Sequence, residues 1–182
     1  NPNSNEPSRG WVMNVLVTGA GGFLGRHIAR QLLDAGHNVR GFSRSGYPEL
    51  EALGIDWVHG DLRNQSDVHQ ACRGMEAVIH TAAVPGIWGT WKMYQSINTL
   101  GTSNILRSVH DHQIRYLVYT SSPSVTFSGD DQAGISEDVP YPEKWLCHYP
   151  HSKALAEQEV LAANKDGQLA TCALRPHLIW GE

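Results

Sequence analysis

A chain of 182 residues with 41% hydrophobic and 18% charged side chains has the balance of an ordinary globular protein and the length for one domain with a real core. Its formal net charge of −4 supplies no basic footprint for nucleic acid, and no apolar run approaches the ~20 residues a membrane-spanning helix needs. The three cysteines, Cys72, Cys147 and Cys172, are widely spaced with no C-x-x-C pair, which argues against a disulfide framework or a zinc site and fits a reducing cytoplasm.

Residues 1–12 are polar, lack the apolar core of a signal peptide, and read as a disordered leader or tag ahead of Met13. From Asn14 short apolar runs alternate with amphipathic stretches. Val15-Leu16-Val17 predicts a first strand ending at Thr18-Gly19. Leu24, Ile28, Leu32 and Leu33 give helical spacing from Phe23 to Ala35, closed by Gly36. Val39–Ser43 reads as a second strand, Pro48–Leu53 as a short helix, Ile55–Val58 as a third strand and Ser66–Cys72 as a helix. Ala77–His80 is a fourth strand, followed by a loop rich in Gly, Pro and Trp. Met93–His110 predicts one long helix with Ile97, Leu100, Ile105 and Val109 on one side. Ile114–Thr120 is a fifth strand, 121–148 is irregular, Tyr149–Ala163 is a helix with Ala154, Leu155, Ala156, Val160 and Leu161 as its apolar face, and Leu169–Leu174 is a sixth strand. Such alternation implies parallel βαβ units: an α/β Rossmann-type, doubly wound sheet of about six strands with helices on both faces, filling 13–182 as one domain.

Thr18-Gly19-Ala20-Gly21-Gly22-Phe23-Leu24-Gly25 lies between a strand and a helix, the context a dinucleotide-binding turn requires. Gly19 permits the tight turn, Gly22 lets backbone approach a pyrophosphate, and Gly25 lets the helix pack close to the sheet. Phe23, Leu24 and Gly25 open the helix, whose free N–H groups favour phosphate. The second strand ends in Ser43-Arg44 and lacks the acid that bonds the ribose hydroxyls of NAD. A guanidinium can pair with a 2′-phosphate, so NADP(H) is favoured over NAD(H), which stays possible; Arg44 can also be read as a solvated loop residue.

Tyr149-Pro150-His151-Ser152-Lys153 puts Tyr149 and Lys153 on one helix face at i, i+4, with Pro150 tolerated in the first turn. A free tyrosine has a pKa of about 10. A nearby ammonium and a cationic nicotinamide would favour the phenolate, letting Tyr149 exchange a proton with an alcohol or ketone. Lys153 is also a candidate to hold the nicotinamide ribose. Thr120-Ser121-Ser122 at the end of the fifth strand supplies a hydroxyl for the substrate oxygen. The bland alternative is an ordinary helix surface.

The spacing G-x-x-G-x-x-G, His80-Thr81-Ala82-Ala83, Asn98 to Asn104, Tyr119 to Ser122, Tyr149 to Glu157 and Leu174-Arg175-Pro176-His177 together resemble an extended short-chain dehydrogenase/reductase of the 3β-hydroxysteroid dehydrogenase branch. The stretch Thr120 to Gly129, with Glu137 to Tyr141, is similar to the sterol-4α-carboxylate 3-dehydrogenases and the bacterial 2-alkyl-3-oxoalkanoate reductases. The resemblance selects Ser122 over Ser121 and gives a catalytic set of Ser122, Tyr149 and Lys153. It puts Asp61 and Leu62 against adenine (Asp61 reads equally as a helix N-cap), Ala82 and Ala83 near the cofactor ribose, and Pro176 near the nicotinamide, with Asn98 as a buttress. It implies a small apolar substrate, sterol-like or a 3-oxo acid, and a possible homodimer pairing the helices from Met93 and Tyr149. Members of that branch continue after the sixth strand into a substrate-binding part and run to roughly twice this length, so the chain reads as a fragment whose substrate pocket is incomplete.

Two rivals stay open. A nucleotide-sugar epimerase or dehydratase shares the scaffold, but dehydratases carry an Asp-Glu pair where Ser121-Ser122 stand, and epimerases hold NAD through an acid on the second strand. A non-catalytic NADP-binding module has no need of all three of Ser122, Tyr149 and Lys153. The ten histidines, including His148 and His151 beside Cys147, match no settled zinc spacing and read as surface residues, so no metal is expected. Trp88 and Trp91 read as walls for an apolar substrate or as packing against a further part.

Overall fold

Short runs rich in Val, Ile and Leu, each followed by a turn and an amphipathic stretch, bury best as parallel strands covered by helices. The computed structural model describes residues 11–181, so most of the leader lies outside the described residues. The elements run β1 (Asn14–Thr18), α1 (Phe23–Asp34), β2 (Asn38–Ser43), α2 (Pro48–Glu51), β3 (Asp56–His59), α3 (Gln65–Cys72) and β4 (Ala77–His80). Next come α4 (Trp91–Tyr94), a π turn (Gln95–Thr99), α5 (Leu100–Asp111), β5 (Tyr116–Thr120), a 3-10 turn (Pro123–Thr126), α6 (His148–Ala162) and β6 (Ala170–Leu174). All five strand pairings are parallel, in the order β3-β2-β1-β4-β5-β6. The expected doubly wound sheet is therefore present. Its order reverses between β1 and β4, and an open sheet of this kind receives ligands there, at the carboxyl ends of the strands.

Side chains alternate across the sheet. Leu16, Val78, Leu117 and Tyr119 face a core closed by Val68 of α3, Ile105 and Val109 of α5, and Ala156 and Val160 of α6. Val15, Val17, Val39 and Ala77 face the opposite core, closed by Ala29 of α1 and Leu50 of α2. The second cover does not reach β6, where Ala170, Cys172 and Leu174 are exposed in alternation.

The predicted single helix over Met93–His110 is corrected. A π turn divides it, and Leu100 is 48% exposed rather than on the apolar side. The π turn adds a residue to one turn and shifts the phase of the helix beyond it. Gly101 takes the inward position, where a Cβ would lie 3.0 Å from Leu62 Cβ. Leu161, expected on the apolar face of α6, is also exposed. The buried side of α6 instead includes Ser152, Lys153 and Glu157. No helix among the described residues is long and apolar enough to cross a membrane.

Candidate active site

The turn between β1 and α1 depends on two contacts that only glycine allows. Gly19 sits at φ +68°, and a Cβ there would lie 2.9 Å from Ala82 Cα. A Cβ on Gly25 would collide with the Gly19 carbonyl, so helix and turn could not close. Gly22 is the N-cap of α1 and brings no capping side chain, which leaves the first N–H groups of the helix without a side-chain partner.

Beside this turn lies a cavity of about 380 Å³. Gly19, Gly22, Phe23, Leu24 and Gly25 form one wall. Ser43, Arg44, Asp61 and Leu62 form the end beyond β2 and β3, and Ala82 and Ala83 the wall after β4. Sequence reasoning missed Tyr47, Val84 and Ile97, which also line it. Tyr47 lies with its ring against Gly21, where any Cβ would overlap it. No local signal in the sequence announces this contact. Asp61 is not a helix N-cap: Asn64 caps α3, accepting from Ser66 N–H at 3.0 Å. The Arg63 guanidinium grips both Asp61 oxygens. That fork, with smaller help from Arg44, holds the Asp61 carboxyl at about 2.

The second half of the site gathers at the ends of β5 and α6. Ser122 caps the 3-10 turn, accepting from Ser124 N–H at 3.2 Å, and its hydroxyl pairs with the Ser124 hydroxyl at 2.7 Å. Ser121 is buried. Lys153, one turn beyond Tyr149, is 2% exposed. Its Nζ donates to the Thr120 carbonyl at 2.6 Å and sits 4.1 Å from the centre of the Tyr119 ring. Burial lowers its pKa to about 7, against the pull of Glu157 one turn further on. Burial raises Tyr149, and the Ser122 hydroxyl works the other way. The Lys153 ammonium thus faces the Thr120 carbonyl.

Glu157 is fully buried, forked by Arg175 and bonded by the Tyr141 hydroxyl at 2.7 Å. This pair fixes the chain after β6 and the loop before α6 to the helix bearing Tyr149 and Lys153. Asn98, in the π turn, accepts from Val84 N–H at 2.8 Å and donates to the Val84 carbonyl at 3.1 Å. Pro176 is half-buried in the segment after β6 and does not line the cavity; nor do Tyr149 and Lys153. Trp91 packs on His151 with ring centres 4.7 Å apart, Trp145 stacks on it at 5.2 Å, and Trp88 is 88% exposed. Among the described residues no group of three or more His, Cys, Asp or Glu side chains is arranged to hold a metal ion.

Residues 16–182 match the model of the 3-beta hydroxysteroid dehydrogenase/isomerase family. A 2-alkyl-3-oxoalkanoate reductase of Shewanella oneidensis is 48% identical over 176 residues, covering 93% of this chain and 46% of the relative. The sterol-4-alpha-carboxylate 3-dehydrogenase, decarboxylating, of Mus musculus is 35% identical over 167 residues, covering 91% and 45%. Among solved structures, a Thermus thermophilus UDP-glucose 4-epimerase in complex with NAD superimposes with a TM-score of 0.78 at 28% identity, covering 90% of this chain and 54% of that one. The chain spans about half the length of the curated relatives it matches. With the glycine turn, the sheet order and the Ser122, Tyr149 and Lys153 cluster in place, the family match over 16–182 settles the kinship: this chain belongs to the 3-beta hydroxysteroid dehydrogenase/isomerase family.

Proposed function

We propose that the chain is the cofactor-binding part of an NADP(H)-dependent oxidoreductase that interconverts a ketone and a secondary alcohol, with a 3-oxo acid bearing long alkyl chains as substrate. The observation that carries this reading is α6, which sets Tyr149 and Lys153 one turn apart and ties Lys153 to the end of β5 next to Ser122, in a domain with a glycine-walled cavity.

The residues fit a dinucleotide. Gly19 and Gly25 leave no room for a side chain where the turn folds back, and Gly22 leaves backbone N–H groups at the start of α1 for a pyrophosphate. Arg44, with Ser43 and next to the Asp61–Arg63 pair, gives the far end of the cavity a guanidinium for a 2′-phosphate. Asp61 and Leu62 would meet the adenine, Ala82 and Ala83 the ribose beyond, and Pro176 the nicotinamide. A bound NADPH supplies the hydride. Ser122 holds the substrate oxygen and Tyr149 delivers the proton to it. A protonated phenol is the form a ketone reduction consumes and an alcohol oxidation regenerates. Lys153 holds the nicotinamide ribose. Leu100 and Leu161, both exposed on α5 and α6, are available to a second copy of the chain.

Two measurements test this. NADPH should bind more tightly than NADH, and Arg44→Ala should narrow the gap by roughly tenfold, the worth of one charged hydrogen bond; tighter NADH binding by the parent overturns the cofactor assignment. A version carrying the rest of the enzyme should reduce long-chain 2-alkyl-3-oxo acids, followed at the NADPH absorbance band, in preference to nucleotide sugars. The similarity to the epimerase gives the sugar reading its support, and turnover confined to nucleotide sugars would establish it instead.

A further inference from the structure

Between the glycine turn and α6 runs a line of buried polar groups whose hydrogen bonds admit one direction. Thr102 Oγ1 lies 2.6 Å from the Asn98 carbonyl, so its hydroxyl donates there. The same oxygen lies 3.0 Å from His80 Nε2. With its hydrogen committed, Thr102 can only accept, and Nε2 must carry the imidazole hydrogen. Nδ1 lies 2.6 Å from Thr18 Oγ1. A neutral ring has one N–H, so Nδ1 accepts and Thr18 donates. Thr18 Oγ1 in turn accepts the Ala82 N–H at 3.2 Å.

The line continues beyond Asn98. Its amide orientation is fixed by the two opposite bonds to Val84, so Nδ2 donates to Ser152 Oγ at 3.0 Å. Ser152 then donates to the Tyr149 carbonyl at 2.7 Å. Thr18, His80, Asn98, Thr102 and Ser152 are each at most 1% exposed, so water offers no substitute partner. Burial, aided by the Lys153 charge, pushes the His80 pKa down to about 3, which keeps the ring neutral. The opposite tautomer would set the Nε2 lone pair against a Thr102 oxygen whose hydrogen points elsewhere.

We propose that His80, as the neutral Nε2–H tautomer, is a positioning residue: it orients a one-way hydrogen-bond chain that holds the Ala82–Val84 loop in register with the helix carrying Tyr149. The strand register supports this, since His80 stands between Thr18 of β1 and Tyr119 of β5. Only two points rest on the proposed function: that this loop faces the cofactor, and that Tyr149 is the acid.

The test uses the chain with 15N-labelled histidine. Long-range proton–nitrogen correlation at neutral pH should find the hydrogen of His80 on Nε2; a hydrogen on Nδ1, or on both nitrogens, overturns the proposal. Thr102→Val keeps the shape and removes both bonds, whereas Thr102→Ser keeps them. The valine variant should speed amide hydrogen exchange at Ala82 and Val84 by roughly tenfold, as loss of a buried hydrogen bond implies, and should weaken NADPH binding. The serine variant should leave both unchanged. Exchange at Ala82 and Val84 that does not change with valine, or that serine does not restore, overturns it. If valine prevents folding, the tautomer and the serine variant still decide. A parent that binds neither NADPH nor NADH would overturn the cofactor reading separately, because the tautomer and exchange measurements need no cofactor.

Discussion

Tyr149→Phe should lower the hydride-transfer rate by at least about 100-fold, the lower bound for general acid catalysis, in an enzyme carrying this domain, while NADPH affinity barely moves. The substitution removes one oxygen and keeps the ring, so the contact with Tyr94, at 6.1 Å between ring centres, survives. What goes is the phenol hydrogen assigned to the substrate oxygen. Burial holds the Tyr149 pKa above its usual value, so in the parent the proton is present throughout the neutral range and reduction should not depend on pH there through this group. Single-turnover measurement of hydride transfer is the proper readout, because cofactor release can otherwise hide the chemical step. Ser122→Ala should lose rate alone, and less. A phenylalanine variant within a few-fold of the parent would reduce Tyr149 to a helix-start residue.

Lys153→Met should separate stability from activity. The Lys153 pKa stands at about 7, below its ordinary 10.5. For a base depressed on folding, the unfolded chain holds the proton more firmly. The resulting cost to stability is full below about 7 and fades as pH rises toward 10.5. At full extent it is on the order of 5 kcal/mol, offset by about 1–3 kcal/mol from the hydrogen bond to the Thr120 carbonyl that methionine gives up. Near neutrality the variant should therefore melt several degrees higher than the parent. The gap should close, and then reverse, as the medium becomes alkaline. Hydride transfer and NADPH affinity should both fall, since the same ammonium is assigned to the ribose. Thermal melts across pH check the first part. A variant that melts lower near neutrality, or a gap that ignores pH, would show that this lysine is not a destabilising buried charge.

The glycine turn and the Tyr149–Lys153 pair were legible because each follows from local geometry: a positive φ, a close approach, a four-residue helical repeat. The strands were legible from their apolar runs, with ends displaced by a residue or two. Other features depend on distant partners. His80 stands at the end of an apolar run, but its partners Thr18 and Thr102 are 62 and 22 residues away, and no local pattern announces them. The same holds for Arg175 and Glu157, 18 residues apart, and for Tyr47 on Gly21. The π turn is written in no residue type; only the glycine at 101, inside an otherwise good helix sequence, marks where the phase has slipped. The direction of the Tyr149 shift escapes the sequence, which shows that a lysine is near and not which oxygen it faces.

The extra residue in the π turn makes this segment a counter of chain length rather than of chemistry. Deleting one residue ahead of Asn98 in the π turn should let the helix close into regular α turns with the segments on either side keeping their faces, whereas the same deletion within α5 would rotate everything beyond it by about 100°. With the π-turn deletion, both Asn98 and Gly101 keep their inward places. In a library selected for a working site, single-residue deletions should therefore be accepted ahead of Asn98 in the π turn and almost absent within α5, where each would turn the buried face away from the sheet.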